Sequence, residues 1–318
     1  MKPYVFIAFF IIFAIAGLFI KTEGIKSKEN LDIIYIDSLN NEKKTLVSRE
    51  DLQDLPNQSP YLSTNLLNNF LNINLNDGNL SCAISQKTES AFVKNLDTDE
   101  ILFDFNASKR WAIASLTKLM TTIVVLEKIG EDKEIIFSEK AIATAGEAGN
   151  FKINDIFKSD DLIKAMLLVS SNDAATALAE VINEKEFVKI MNEKAEELKM
   201  TETIFLNNSG LSFLNQSTAD DLVKLIDYIN NRHPEIFEIS RLKEIVINEI
   251  KTGNPKKLVN VNQFAGNADF LGGKSGYLES AGRNLISLFS KNNQPIIVVI
   301  LGAEDAYKET ENLLNCVK

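Results

Sequence analysis

The stretch AFVKNLDTDEILFDFNASKRWAIASLTKLMT, residues 91–121, decides how this chain folds. Its first part has the look of strands. Ala91-Phe92-Val93 and Ile101-Leu102-Phe103 flank Asp97-Thr98-Asp99-Glu100, a β-hairpin with a four-residue turn. The period then lengthens. From Ser115 to Ile129, Leu116, Leu119, Met120, Ile123 and Leu126 recur on one side of a helix that Gly130 stops. At its head, Ser115-Leu116-Thr117-Lys118 is a Ser-x-x-Lys element. Spacing i to i+3 puts both side chains on one face, within hydrogen-bonding reach. A helix start also offers unpaired N–H groups and positive potential to an oxyanion. Lysine acts as a base only when neutral, which requires burial or a second cation nearby. The tetrapeptide by itself is a weak signal, because Ser240-Arg241-Leu242-Lys243 has the same form.

Working outward, helical patterns cover residues 160–169, 174–182, 187–198 and 217–230, with Ser217 and Asp220 as a cap for the last. Two strands follow, Asn284–Phe289 and Pro295–Leu301, joined through Lys291-Asn292-Asn293, and then a final helix near Tyr307–Leu314. Early strands, a helical middle and late strands imply an α/β (α+β) fold. One antiparallel sheet is built from both ends of the domain, flanked by helices, with a helical lobe inserted.

Two further short patterns sit where a cleft needs them. Ser170-Ser171-Asn172 falls between two helical stretches, where a turn presents a hydroxyl and an amide. Lys274-Ser275-Gly276 follows Gly272-Gly273, a setting for close backbone approach to a ligand. Each has cheap copies. Ser38-Leu39-Asn40 and Ser63-Thr64-Asn65 mimic the first, and Lys251-Thr252-Gly253 mimics the second. The polar run Asn254-Pro255-Lys256-Lys257 assigns that last copy to a hairpin tip.

Taken in order, these motifs resemble the penicillin-binding D-alanyl-D-alanine carboxypeptidases, the low-molecular-mass serine DD-peptidases with a β-lactamase-like fold. Residues 91–121 look like that family's opening hairpin and nucleophile helix, and Leu168 to Ala175 is similar to its second motif. Asn207-Asn208-Ser209-Gly210-Leu211 and residues 217–222 resemble its intervening signatures. Gly272 to Tyr277, then Ala281-Gly282-Arg283-Asn284-Leu285, resembles its third motif and following strand.

The resemblance implies a serine-type carboxypeptidase that removes the terminal D-alanine of peptidoglycan stem peptides through an acyl-enzyme, with β-lactams as covalent inhibitors and no cofactor. It implies Ser115 as nucleophile, Lys118 as base, Ser170 as proton relay and Asn172 as holder of the substrate amide. Lys274 is then the cation that keeps Lys118 neutral and, with Ser275, receives the terminal carboxylate. Gly276 and Tyr277 complete the binding strand, the Tyr277 N–H joining that of Ser115 in an oxyanion hole. Two departures bear on substrate preference: Leu278 stands where a threonine is frequent, and Lys308 where an arginine is common. Because both chain ends meet at the sheet in this fold, Cys82 and Cys316 stand either as a disulfide or as two separate thiols.

Two other readings compete. A serine β-lactamase needs a Glu-x-x-Leu-Asn element, and Glu202 to Asn207 is one residue too long. A β-lactam-sensing or wall-binding module would acylate without turnover.

Composition narrows the field. The chain has 318 residues and a net charge of −10, with no basic stripe for nucleic acid. Its single histidine, His233, reads as a surface turn residue, which leaves a Ser-His-Asp triad or a zinc site short of groups. Residues 4–20, YVFIAFFIIFAIAGLFI, are apolar or small throughout and nearly long enough to cross a bilayer. We read residues 1–21 as a membrane anchor or a signal peptide, 22–81 as a polar stalk, and 82–318 as the catalytic domain. Such a protein works outside the cytoplasm, tethered to the membrane or secreted.

Overall fold

The computed structural model describes Cys82, residues 84–146 and residues 148–317, together with the backbone of four short strands before residue 48. The chain divides into two compact units, Met1–Asn79 and Leu80–Lys318. In the first, Ala8–Ile11, Leu18–Glu23, Ile34–Ser38 and Thr45–Val47 form an antiparallel meander. The expected span over 4–20 lies for the most part outside the described residues. Where its backbone is described it is paired strand, and no helix among the described residues is long and apolar enough to cross a membrane.

The second unit is built on a five-stranded antiparallel sheet. Its spatial order is Phe270–Leu278, Gly282–Lys291, Gln294–Ala303, Ser90–Asn95, Ile101–Phe105. Late strands thus pair with early ones, which brings the two ends of the unit together. The central strand shows why. Ile297, Val299 and Leu301 pack into the core shared with the helices, whereas Ile296, Val298 and Ile300 pack into a second core on the opposite face. A strand apolar at every position is buried on both sides, and its register is strongly specified. Asn292 and Asn293 both adopt left-handed backbone, at φ 53° and 62°, as a two-residue hairpin turn requires.

The helical lobe lies between Ala112 and Phe270 in sequence. Its longer helices are Thr117–Lys128, Ser159–Leu168, Asn172–Glu180, Glu184–Glu197 and Ala219–Arg232. The first is buried all round from Thr117 to Val125, rather than on one face as its apolar spacing predicts. It runs through the lobe's centre, so its polar positions are enclosed too. The cap expected of Ser217 and Asp220 falls one residue later. The Thr218 hydroxyl accepts from the Asp221 N–H at 3.1 Å, while Ser217 lies in a short strand and pairs with the Thr203 hydroxyl at 2.7 Å.

Cys82 and Cys316 form a disulfide, with Cα atoms 5.5 Å apart and 234 residues between them in sequence. It staples the start of the unit to the C-terminal helix Ala306–Cys316, which packs on the sheet's second face. Closing so long a loop removes about 5 kcal/mol of chain entropy from the unfolded state on the simplest model.

Candidate active site

The nucleophile candidate sits on a strained turn. Ala114–Leu116 forms a single 3₁₀ turn leading into the Thr117–Lys128 helix, and Ala114 takes φ +49°. Left-handed backbone costs a residue bearing a Cβ roughly 1 kcal/mol, so its neighbours must hold it there. Gly210 and Gly276 do so from two sides. A Cβ on Gly210 would lie 2.0 Å from the Ala114 carbonyl oxygen, and one on Gly276 2.9 Å from the Ser115 nitrogen. Both positions need glycine because backbone passes against backbone around Ser115.

Lys118 is fully buried one turn on. Its Nζ lies 2.9 Å from Ser115 Oγ, 2.7 Å from Asn172 Oδ1 and 2.6 Å from the Ser209 carbonyl oxygen. The last two atoms only accept, and Asn172 is oriented by donating its Nδ2 to the Ala145 carbonyl at 2.7 Å. A neutral amine therefore directs both hydrogens to these acceptors and leaves its lone pair facing the Ser115 hydroxyl. Burial holds the Lys118 pKa well below that of a free lysine, and the nearby Lys274 charge lowers it further. Desolvation is thus the larger cause, with the second cation subordinate to it.

Lys274 is itself buried, in the edge strand Phe270–Leu278, and burial lowers its pKa to about 7. Its Nζ donates to Ser170 Oγ at 3.0 Å and to the Ser275 carbonyl at 2.6 Å. Ser170 occupies left-handed backbone at φ +58°, between the helices Ser159–Leu168 and Asn172–Glu180. Ser171 caps the second helix by accepting from the Ala174 N–H at 3.1 Å, which sets Asn172 as its first residue. Ser115, Lys118 and Asn172 thus form one hydrogen-bonded group and Ser170 and Lys274 a second, near enough for the Lys274 charge to act on Lys118. Ser275 is half-buried, and the Tyr277 side chain is 58% exposed with the Arg283 guanidinium 5.1 Å from its ring.

Ser209 lies in the Asn207–Leu211 signature, but the role of its carbonyl is not written there. Asn215 carries no signal in the sequence reading, and it is a fully buried amide that donates to Thr117 Oγ1 at 3.0 Å and to the Asn207 carbonyl at 2.9 Å. Thr121 donates to the Asn208 carbonyl at 2.6 Å. Together they pin the 207–210 loop onto the nucleophile helix. The cluster of asparagines before Gly210 marks this loop in sequence, although its partner does not show there.

The decoys fall elsewhere. Ser240 is buried at the end of the short helix Glu235–Ser240, where its hydroxyl accepts from the Gly273 N–H at 3.0 Å, and Lys243 is exposed. Lys251-Thr252-Gly253 is the tip of the hairpin Glu244–Asn248/Pro255–Val259, with both the Thr252 N–H and hydroxyl bound by Glu249. His233 is more enclosed than a surface turn residue. It ends the Ala219–Arg232 helix with its side chain 17% exposed, its ring nitrogens facing Glu235 and Glu127 at 3.1 and 3.5 Å. Lys308 is exposed on the C-terminal helix and lines a polar hollow with Arg283 on the sheet's second face.

The chain is similar to known proteins along most of its second unit. The family model described as D-alanyl-D-alanine carboxypeptidase, peptidase S11, matches residues 79–305. D-alanyl-D-alanine carboxypeptidase DacF of Bacillus subtilis is 30% identical over 238 residues, 71% of this chain and 60% of that one. A D-alanyl-D-alanine endopeptidase of Haemophilus influenzae is 31% identical over 239 residues, 72% of this chain and 80% of that one. The chain spans about three fifths of the length of the first carboxypeptidases it matches. Among solved structures, penicillin-binding protein D2 from Listeria monocytogenes, in its ampicillin-bound form, superimposes with a TM-score of 0.65 at 28% identity. That match covers 74% of this chain and 99% of that one.

Proposed function

Since the chain belongs to the D-alanyl-D-alanine carboxypeptidase family of serine peptidases, we propose that it is a serine-type D-Ala-D-Ala carboxypeptidase acting through an acyl-enzyme on Ser115. One observation carries the reading: a fully buried lysine amine 2.9 Å from the Ser115 hydroxyl, with a second buried lysine bridging to Ser170.

Ser115 Oγ attacks the carbonyl carbon of the penultimate D-alanine, and its proton passes to the lone pair of Lys118. The N–H groups of Ser115 and Tyr277 receive the oxyanion, donors of a kind worth roughly 10²–10³ each in rate. The C–N bond then breaks, and the leaving D-alanine nitrogen takes a proton through the Ser170 hydroxyl. Lys274 and Ser275 hold the terminal carboxylate, and Asn172 the substrate's backbone amide. Water attacks the resulting ester and frees Ser115. The same ester forms when Ser115 opens a β-lactam ring, and slow water attack makes penicillin an inhibitor. The substrate is the peptidoglycan stem peptide, so the domain works outside the cytoplasm. The apolar residues 4–20 are the segment we assign to carrying it there.

The test is labelling with a fluorescent penicillin, followed by measurement of D-alanine release from a stem pentapeptide. Stoichiometric labelling, its loss in Ser115→Ala, and D-alanine release are the expected results. Rapid penicillin hydrolysis in place of a stable adduct would make the protein a β-lactamase. Labelling without D-alanine release would make it a sensor or wall-binding module. Persistent labelling of Ser115→Ala would move the nucleophile elsewhere.

A further inference from the structure

Two walls of the cleft start from the same atom. Gly210 and Gly276 both press on the backbone at Ser115, and the chain leaves each of them toward the same hollow. Leu211 and Phe213 line it from the loop side, and Leu278, Glu279 and Ser280 from the strand end; its volume is about 410 Å³. That size falls within the range of small-ligand pockets. Leu211 and Phe213 are 38% and 42% exposed, so their apolar surface is open to an occupant. Three of its five lining residues are apolar, and the one charged side chain among them is a carboxylate.

Its position relative to the reacting atoms identifies the occupant. On the reading above, Lys274 and Ser275 hold the substrate's carboxylate and Tyr277 faces the scissile carbonyl. The substrate therefore runs along this edge strand with its acyl-donor side toward Leu278, and the residue before the D-Ala-D-Ala pair comes to lie beside the hollow.

We propose that Leu211, Phe213 and Leu278 form a subsite for the side chain of that residue, and that Glu279 at its edge selects the tip. The matching chemistry is a long side chain with a methylene stem and a cationic end. Methylenes lie against the three apolar residues, and an ammonium meets the Glu279 carboxylate. A short side chain leaves the hollow unfilled. An acidic one places like charges together. Leu278, the departure from the family's frequent threonine, is then a specificity determinant in its own right.

The test uses N-acetylated tripeptides X-D-Ala-D-Ala with X as lysine, norleucine, alanine or glutamate, scored by D-alanine release. The expected order of kcat/KM is lysine, norleucine, alanine, glutamate. In Leu278→Thr and in Phe213→Ser, the lysine-to-alanine ratio falls about tenfold, the scale of losing a few apolar contacts in a pocket. Leu278→Met retains the ratio. In Glu279→Gln, the lysine-to-glutamate ratio falls by up to about fivefold, as befits an exposed charge pair. Ratios measured on one preparation cancel any loss of folded enzyme. Equal rates for the four peptides, or a lysine-to-alanine ratio that survives both Leu278→Thr and Phe213→Ser, would overturn the subsite alone. A wild-type protein that neither binds penicillin nor releases D-alanine would overturn the carboxypeptidase reading and the subsite with it.

Discussion

Two tetrapeptides in this chain share the spacing Ser-x-x-Lys, and only one can make a base of its lysine. In Ser115-Leu116-Thr117-Lys118 the amine is fully buried, held by two acceptors and within 2.9 Å of the serine hydroxyl. In Ser240-Arg241-Leu242-Lys243 the burial is reversed. The serine is enclosed and supports the Gly273 N–H, while the lysine stands in water. Spacing alone brings a lysine within reach of a serine. The dielectric around its nitrogen decides whether it carries a proton at neutral pH.

The strongest way to break this contrast is to remove each lysine in turn. Lys118→Met should lower penicillin acylation by about 10²–10⁴, the usual scale of a lost general base, whereas Lys243→Met should leave the rate where it was. Comparable losses in both variants, read by stopped-flow labelling, would mean that burial is not what distinguishes them.

A second contrast sharpens the first. Gly276 and Gly253 close the two Lys-Ser/Thr-Gly tripeptides, yet a Cβ on Gly276 would press on the Ser115 nitrogen, and one on Gly253 would meet nothing within 4 Å. Gly276→Ala should cost on the order of 10²-fold in acylation by displacing the nucleophile turn. Gly253→Ala should cost about 1 kcal/mol of stability through its φ of +69° and spare the chemistry. Equal acylation rates in the two variants would sink this explanation.

The buried Lys274 also predicts a pH dependence. Lys274 has a folded pKa of about 7 against 10.5 for the free side chain. Between those values the unfolded chain holds the proton that the folded protein has released. Stability should therefore rise with pH from about 7 to 10.5, gain nothing from this group below 7, and lose that slope in Lys274→Met. Denaturant titrations across that window would read it directly. An identical slope in wild type and variant would contradict the burial argument. Acylation should fall as pH rises through about 7 and Lys274 loses the charge that receives a carboxylate. The smallest expected effect is that of Ser240→Ala, about 1 kcal/mol of stability for the unsupported Gly273 N–H, with penicillin labelling intact.

Much of the fold is legible because it depends on short-range pattern. The hairpin at 90–105, the two late strands and six of the helices follow from period and punctuation alone. The strand Phe270–Leu278 is harder to see. Its three glycines and lysine have little strand propensity, and it is a strand because the long partner Gly282–Lys291 pairs with it. The small hairpins Glu134–Ile136/Ile156–Lys158 and Glu244–Asn248/Pro255–Val259 are likewise set by neighbours rather than by their own propensity.

Which residue types could do the chemistry was written in the sequence. Ser115 and Lys118 lie one turn apart, a serine–asparagine turn falls between helices, and a Lys-Ser-Gly follows two glycines. The polar run after Gly253 set Lys251 apart, but nothing local told Ser115 and Lys118 from Ser240 and Lys243. That choice belongs to the tertiary structure, which encloses Lys118 and Lys274, packs Gly210 and Gly276 against the backbone at Ser115, and aims the Ser209 carbonyl at an amine 91 residues away. The physical reason is that a pKa and an angle of attack depend on what surrounds an atom in space, and those surroundings come from parts of the chain that a tetrapeptide does not contain.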